Sequence, residues 1–182
     1  EAFRRSPIRF EAVSTNLETG EADYHEMRDY HDDLPYIIAS SSMPLVSQIV
    51  EVDGKLLLDG GTSDSVPLLH SILTGANKHI VVLTQADDYV KRANKLMALM
   101  RQRYADYPYY LERLQYRHYE YNRLYRWIAR EEAAGRIFVI RPPEPVTVSS
   151  MEHDAEKLLA LYEQGLAAAA KAWPKLQEYL AS

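Results

Sequence analysis

The chain contains no cysteine. That excludes a disulfide framework and any thiolate-ligated metal, and it suits a reducing compartment. Glycine is scarce: there are seven in 182 residues, and only Gly60 and Gly61 are adjacent. No second glycine-rich segment exists that could wrap an oxyanion. No apolar run reaches the length of a membrane-spanning helix. Basic charge is not in excess, since the net charge is −5. That disfavours non-specific nucleic-acid binding and leaves no basic face for acidic lipid. A G-x-S-x-G nucleophile elbow is also missing. The nearest run, Gly61-Thr62-Ser63-Asp64-Ser65, lacks the last glycine, and Ser63 reads as a turn residue.

What is present centres on Leu56-Leu57-Leu58-Asp59-Gly60-Gly61, followed by Asp64-Ser65-Val66-Pro67. A short apolar strand ends on one carboxylate, and two glycines permit positive φ or close backbone approach beneath it. Pro67 suits a first helical turn, with Asp64 or Ser65 as the cap. Taken alone, this is a strand–turn–helix connection of an α/β domain.

The rest of the chain supplies elements of both kinds. Alternation at Ile8, Phe10 and Ala12, a turn at Thr19-Gly20 and renewed alternation at Ala22 and Tyr24 predict a β-hairpin. Asp32-Asp33-Leu34-Pro35 predicts a helix start, and the helix ends near Met43-Pro44. Gln48 to Val52 and Lys55 to Leu58 predict strands about the Asp53-Gly54 turn. Val66 to Thr74 predicts a helix closed by Gly75. Ile80 to Leu83 reads as a buried parallel strand. Helices are expected over 87–100, over 111–134 and over 154–182, the last interrupted near Gly165 or Pro174. A strand is expected over 136–140, stopped by Pro142-Pro143. Leu158, Leu159, Leu161, Tyr162 and Leu166 read as a core stripe, with Trp127 and Trp173 as packing anchors.

Three other groups of residues invite chemistry. The stretch from Tyr104 to Tyr125 holds eight tyrosines interleaved with arginines. Such a stretch serves as a lipid-facing lid or as helix packing with phenols reaching water. His25, Glu26, Asp29, His31, Asp32 and Asp33 carry metal-ligand chemistry but match no compact zinc spacing, so a solvated loop and helix cap is expected and no metal is assigned. Ser40, Ser41 and Ser42 form either a hydroxyl-rich pocket edge or a helix terminus whose hydroxyls satisfy backbone groups.

In their order, Ile37-Ile38-Ala39-Ser40-Ser41-Ser42-Met43-Pro44, Val52-Asp53-Gly54-Lys55, the Asp59-Gly60-Gly61 run and Gly75-Ala76-Asn77-Lys78-His79-Ile80-Val81-Val82-Leu83-Thr84 resemble the C-terminal part of bacterial patatin-like phospholipases. The resemblance extends from about Arg9 to about Leu180 and includes Tyr107-Pro108, Tyr121-Asn122 and Ile137-Phe138-Val139-Ile140-Arg141-Pro142. It implies an α/β fold, a patatin-like three-layer α/β/α sandwich of which this chain is the C-terminal part. Residues 1–100 would form the sheet and residues 101–182 a mainly helical region. It implies a serine lipid acyl hydrolase using a Ser–Asp dyad. Asp59 would be the dyad aspartate, Gly60 and Gly61 would complete its motif, and Ser40, Ser41 and Ser42 would edge the pocket. Ser65 stands where such proteins often carry Asn.

The nucleophile and the oxyanion loop would lie in an N-terminal segment outside this sequence, so the chain alone is expected to be inactive. The expected partners are a phospholipid or other acyl ester, the N-terminal half of the same protein and, possible on the same surfaces, a second copy of the chain. No cofactor and no nucleic acid are expected, and the expected location is cytoplasmic with at most peripheral membrane contact. The alternative is a catalytically inactive patatin-like module that binds lipid or a protein partner. A chain without the central strands would expose a sheet edge and apolar surface.

Overall fold

A computed structural model describes residues 2–149 and 151–182. The elements, in order, are α1 (Ala2–Arg5), β1 (Glu11–Asn16), β2 (Ala22–Glu26), α2 (Leu34–Ser40), β3 (Val50–Val52), β4 (Lys55–Asp59), α3 (Leu68–Leu73), β5 (Ile80–Val82), α4 (Met97–Arg103), α5 (Pro108–Ala133), β6 (Phe138–Ile140) and α6 (Ala155–Ala181). A 3-10 turn, Gly60–Thr62, follows β4 directly. The protein is mixed α/β. Its contacts divide it into two units: residues 1–67 with 91–122, and residues 68–90 with 123–182.

The first unit holds a four-stranded antiparallel sheet in the order β2-β1-β4-β3. The hairpin expected near the start of the chain is β1–β2, and the Asp53-Gly54 turn joins β3 to β4. Gly54 has φ +71° and Asp53 φ +50°, the left-handed geometry a two-residue hairpin turn requires. β4 is a central strand, and its unbroken Leu56-Leu57-Leu58 run is apolar on both faces because a core packs on each. Leu57 packs in a core with Ala12, Met27, Tyr36 and Ala39, which brings α2 onto one face of the sheet. Leu58 packs on the other with Leu17, just after β1, and with Met100, Tyr104, Tyr110 and Leu114, from α4, α5 and the segment joining them. Each of these leucines is fully buried and contributes about 2 kcal/mol to the fold.

The second unit holds β5 paired in parallel with β6. β5 is not the buried strand its apolar run suggests: Val81 is buried, but Ile80 and Val82 are 45% and 68% exposed. α6 is anchored near its C-terminus. Lys78 Nζ donates to the Leu180 carbonyl, and Tyr179 packs on Phe138. Asp154 caps it, accepting from the Glu156 and Lys157 amides.

Several local expectations are corrected. The helix expected over 87–100 forms only from Met97; the residues before it take irregular turns. α6 runs without interruption through Gly165 and Pro174. Pro108 opens α5 at its first position, where a missing N–H costs nothing. The stripe of Leu158, Leu159, Tyr162 and Leu166 expected in the core is exposed, and so is Trp173; Leu176 is the buried residue of α6. Asp33 precedes α2 as expected but gives no side-chain cap; its carboxylate accepts the Arg28 and Asp29 amides. Among the described residues no helix is long and apolar enough to cross a membrane.

Candidate functional site

β4 delivers Asp59 to its own end, and the backbone there (φ −42°, ψ 124°) breaks the strand into the 3-10 turn. Asp59 caps that turn: its Oδ1 accepts the Gly61 amide at 2.6 Å. Among the described residues its Oδ2 accepts no hydrogen bond. The backbone beneath is held from three sides. The Asp59 amide donates to the Ser42 carbonyl at 2.9 Å. The Thr15 hydroxyl donates to the Asp59 carbonyl at 2.8 Å. Ser14 of β1 is the register partner of Asp59.

The two glycines serve different ends. Neither has positive φ, so close approach is what they supply. A Cβ on Gly60 would lie 2.2 Å from the Val13 carbonyl oxygen. A Cβ on Gly61 would lie 2.9 Å from Asp59 Oδ1 and 3.0 Å from Arg117 Nη2. The carboxylate and the guanidinium therefore flank the same point.

Asp59, Gly60 and Gly61 line an open pocket of about 460 Å³ with Phe10, Ile37, Ser40 and Ser41. Ser40 and Ser41 thus line the same pocket as Asp59. Ser42 does not: it is buried, its hydroxyl donates to the Ile38 carbonyl at 2.7 Å, and its carbonyl supports Asp59. Ser41 combines both readings, since its hydroxyl also donates to the Ile37 carbonyl at 3.1 Å. Ser63 is a turn residue, its hydroxyl 2.8 Å from that of Thr15. Asp64 and Ser65 do not cap α3 through their side chains. Asp64 accepts the Tyr24 hydroxyl at 2.6 Å, and Ser65 donates to the Gly61 carbonyl at 2.7 Å. Burial, reinforced by Asp64, raises the Tyr24 phenol well above its ordinary range.

Sequence reading missed the residues behind the turn. Arg117 of α5 donates from Nε to the Gly61 carbonyl at 2.5 Å. One helical turn on, the Tyr121 ring lies under Lys91, whose Nζ is 4.6 Å from the ring centre. Asn122 clamps the Lys91 backbone through two 2.9 Å bonds, accepting its amide and donating to its carbonyl. The signal was the spacing of Arg117, Tyr121 and Asn122 on one helix, but nothing local tied them to Lys91. Burial lowers the Lys91 ammonium to about 8; Arg117 pushes the same way and Asp59 opposes. Just inside the turn, the buried hydroxyls of Ser14, Thr62 and Tyr110 have no hydrogen-bond partner among the described residues.

The remaining groups are engaged elsewhere. His25 bonds Asp33 at 2.8 Å and stacks on Tyr36. Arg4 and the His31 amide hold Asp29, which brings its carboxyl down to about 2. No group of three or more His, Asp or Glu among the described residues could hold a metal ion. The aromatic stretch divides: Tyr104, Tyr110 and Tyr121 are buried, while Tyr109, Tyr116 and Tyr119 are exposed. In the second unit, a hollow of about 810 Å³ lies against β6 and α6. Its Arg141 is paired to Asp87 and Glu132.

Residues 107–181 match a family described as a domain of unknown function, DUF6363. The matched part covers α5, β6 and α6, less than half of the chain. It includes Tyr110, Arg117, Tyr121 and Asn122 and leaves out Asp59 and its turn. None of the curated proteins matches the chain.

Proposed function

We propose that Asp59 is the base of a Ser–Asp dyad in a lipid acyl hydrolase, and that this chain is the C-terminal part of a patatin-like three-layer sandwich. The Ser and the oxyanion donors would come from polypeptide outside this sequence. One observation carries the reading. Asp59 has one carboxylate oxygen fixed by the Gly61 amide and the other without a donor among the described residues, at the edge of a pocket with apolar Phe10 and Ile37. A base needs one oxygen that orients it and one that can take a proton.

In this reading the Ser hydroxyl attacks the ester carbonyl and its proton passes to Asp59. Collapse of the tetrahedral species breaks the ester bond, and the leaving alcohol takes the proton from Asp59. Water then attacks the acyl-enzyme with Asp59 as base again, which releases the fatty acid and restores the Ser. No cofactor enters these steps. The exposed faces of Ile80, Val82 and the α6 leucines support further polypeptide covering this chain, from the same protein or from a second copy. We place the protein in the cytoplasm, with at most peripheral contact to lipid.

The test is Asp59→Asn in the protein that carries the Ser. The expected outcome is a loss of several orders of magnitude in turnover with the fold intact. Retention of most activity overturns the assignment. An Asp59 protein with no esterase activity that still binds lipid or protein would instead favour the inactive binding module.

A further inference from the structure

We propose that Lys91 Nζ and the Arg117 guanidinium form an anion subsite behind the Asp59 turn, which takes a phosphate monoester or diester group. This deepens the acyl-hydrolase reading by giving the substrate a phosphate, and it rests on that reading only for what carries the phosphate.

Three observations point there. First, Lys91 Nζ is half-buried over the Tyr121 ring and donates to no acceptor among the described residues. Its Nζ is not among the fully buried polar atoms, so it is held against the ring yet open to an anion from solvent. The Tyr121 ring it covers lies one helical turn from Arg117 on the same face of α5, and the charged groups that act on it are Arg117 and Asp59. Second, Arg117 spends only Nε, on the Gly61 carbonyl, and its two Nη groups have no acceptor among the described residues. Third, both cations are pinned. The Asn122 clamp fixes the Lys91 backbone, and Arg117 is held against the turn.

Two cations face one carboxylate, which already accepts the Gly61 amide. The site therefore keeps a net positive charge. Asp64, on the same turn, accepts the Tyr24 hydroxyl and does not neutralise Lys91. A planar guanidinium with free Nη groups beside an ammonium suits a group with several anionic oxygens. Phosphate offers them in a tetrahedron, so one ligand can meet cations arriving from two elements.

The experiment titrates dimethyl phosphate, a diester that keeps one negative charge at both pH values, into the 182-residue chain by calorimetry at pH 6.5 and at pH 9.5, with circular dichroism to follow the fold. Saturable binding is expected at the lower pH. It should weaken roughly tenfold at the higher pH as Lys91 gives up its proton. Lys91→Gln should weaken binding about tenfold at pH 6.5. Lys91→Arg should bind equally well at both pH values, which a purely structural role for Lys91 does not explain. Competition by vesicles of phosphatidylcholine doped with phosphatidic acid identifies a lipid headgroup as the source; binding without competition identifies a soluble phosphate. Either result supports the subsite. No phosphate binding, or equal binding by the native chain and Lys91→Gln, overturns it. Because only binding is read, failure of the Asp59 assignment leaves this result standing, and the reverse holds too.

Discussion

Gly60 and Val13 touch so closely that a Cβ built on the glycine would lie 2.2 Å from the Val13 carbonyl oxygen and 2.6 Å from its carbonyl carbon. Those are backbone atoms of a sheet strand, and they cannot swing aside. Gly60→Ala should therefore destabilise the chain by about 3 kcal/mol or more by forcing β1 from β4. Urea unfolding followed by circular dichroism checks it; an unchanged midpoint would mean the strands can separate freely.

Gly61 next to it behaves differently. Its hypothetical Cβ meets only side-chain ends, Asp59 Oδ1 at 2.9 Å and Arg117 Nη2 at 3.0 Å. Both can give by a few tenths of an ångström. Gly61→Ala should cost no more than about 1 kcal/mol, yet shift the carboxylate and guanidinium apart. In the protein carrying the Ser, turnover should fall more than stability does. A variant that loses both in step would show that Gly61 serves the fold alone.

Tyr110 offers a test of the unpartnered hydroxyls inside the turn. It is fully buried and packs edge-on against Tyr104, with ring centres 5.2 Å apart. Burial raises its phenol well above the ordinary range. Its neighbour is the Thr62 hydroxyl, at a geometry short of a hydrogen bond, so removing the Tyr110 hydroxyl loses at most that weak contact and relieves its desolvation. Tyr110→Phe should stabilise the chain by about 1 kcal/mol, read as a higher thermal midpoint. A loss of similar size would reveal a bond to that hydroxyl.

What could be read from sequence depended on how local the cause was. The β1–β2 hairpin, the β3–β4 turn and α2 followed from neighbouring residues, and so did the close approach of Gly60. Asp59 at a strand end was equally legible, because Leu56-Leu57-Leu58 and the two glycines bracket it. The failures came where distant residues decide. The apolar stripe of α6 predicted burial, but a stripe cannot say whether anything covers it. Lys91 looked like a charge on the helix expected over 87–100. Its place depends on Asn122, thirty-one positions away, and on a ring of the same helix. Asp64 and Ser65 had the chemistry of caps but found better partners in Tyr24 and the Gly61 carbonyl.

Lys91 also makes a prediction about stability. Its ammonium titrates near 8 in the fold, against an ordinary value of 10.5, because burial and Arg117 disfavour the charged form. A lowered folded value means that the unfolded chain holds this proton more tightly. Between pH 8 and 10.5 the unfolded state therefore binds more protons at this residue, and stability gains from Lys91 as pH rises through that window. Below pH 8 the full penalty of the buried charge is present. Lys91→Met keeps the apolar stem over Tyr121 and removes the charge, so it should raise the thermal midpoint at pH 7. The advantage should shrink as pH climbs toward 10. The comparison stops there because the raised phenols of Tyr24, Tyr36 and Tyr110 add a loss of stability above pH 10, when the unfolded chain ionises its tyrosines first. Thermal scans of both proteins from pH 7 to pH 10 measure the difference. A constant gap would mean that Lys91 keeps an ordinary ammonium and that packing alone separates the two; a variant less stable at pH 7 would mean that its charge is already matched within the fold.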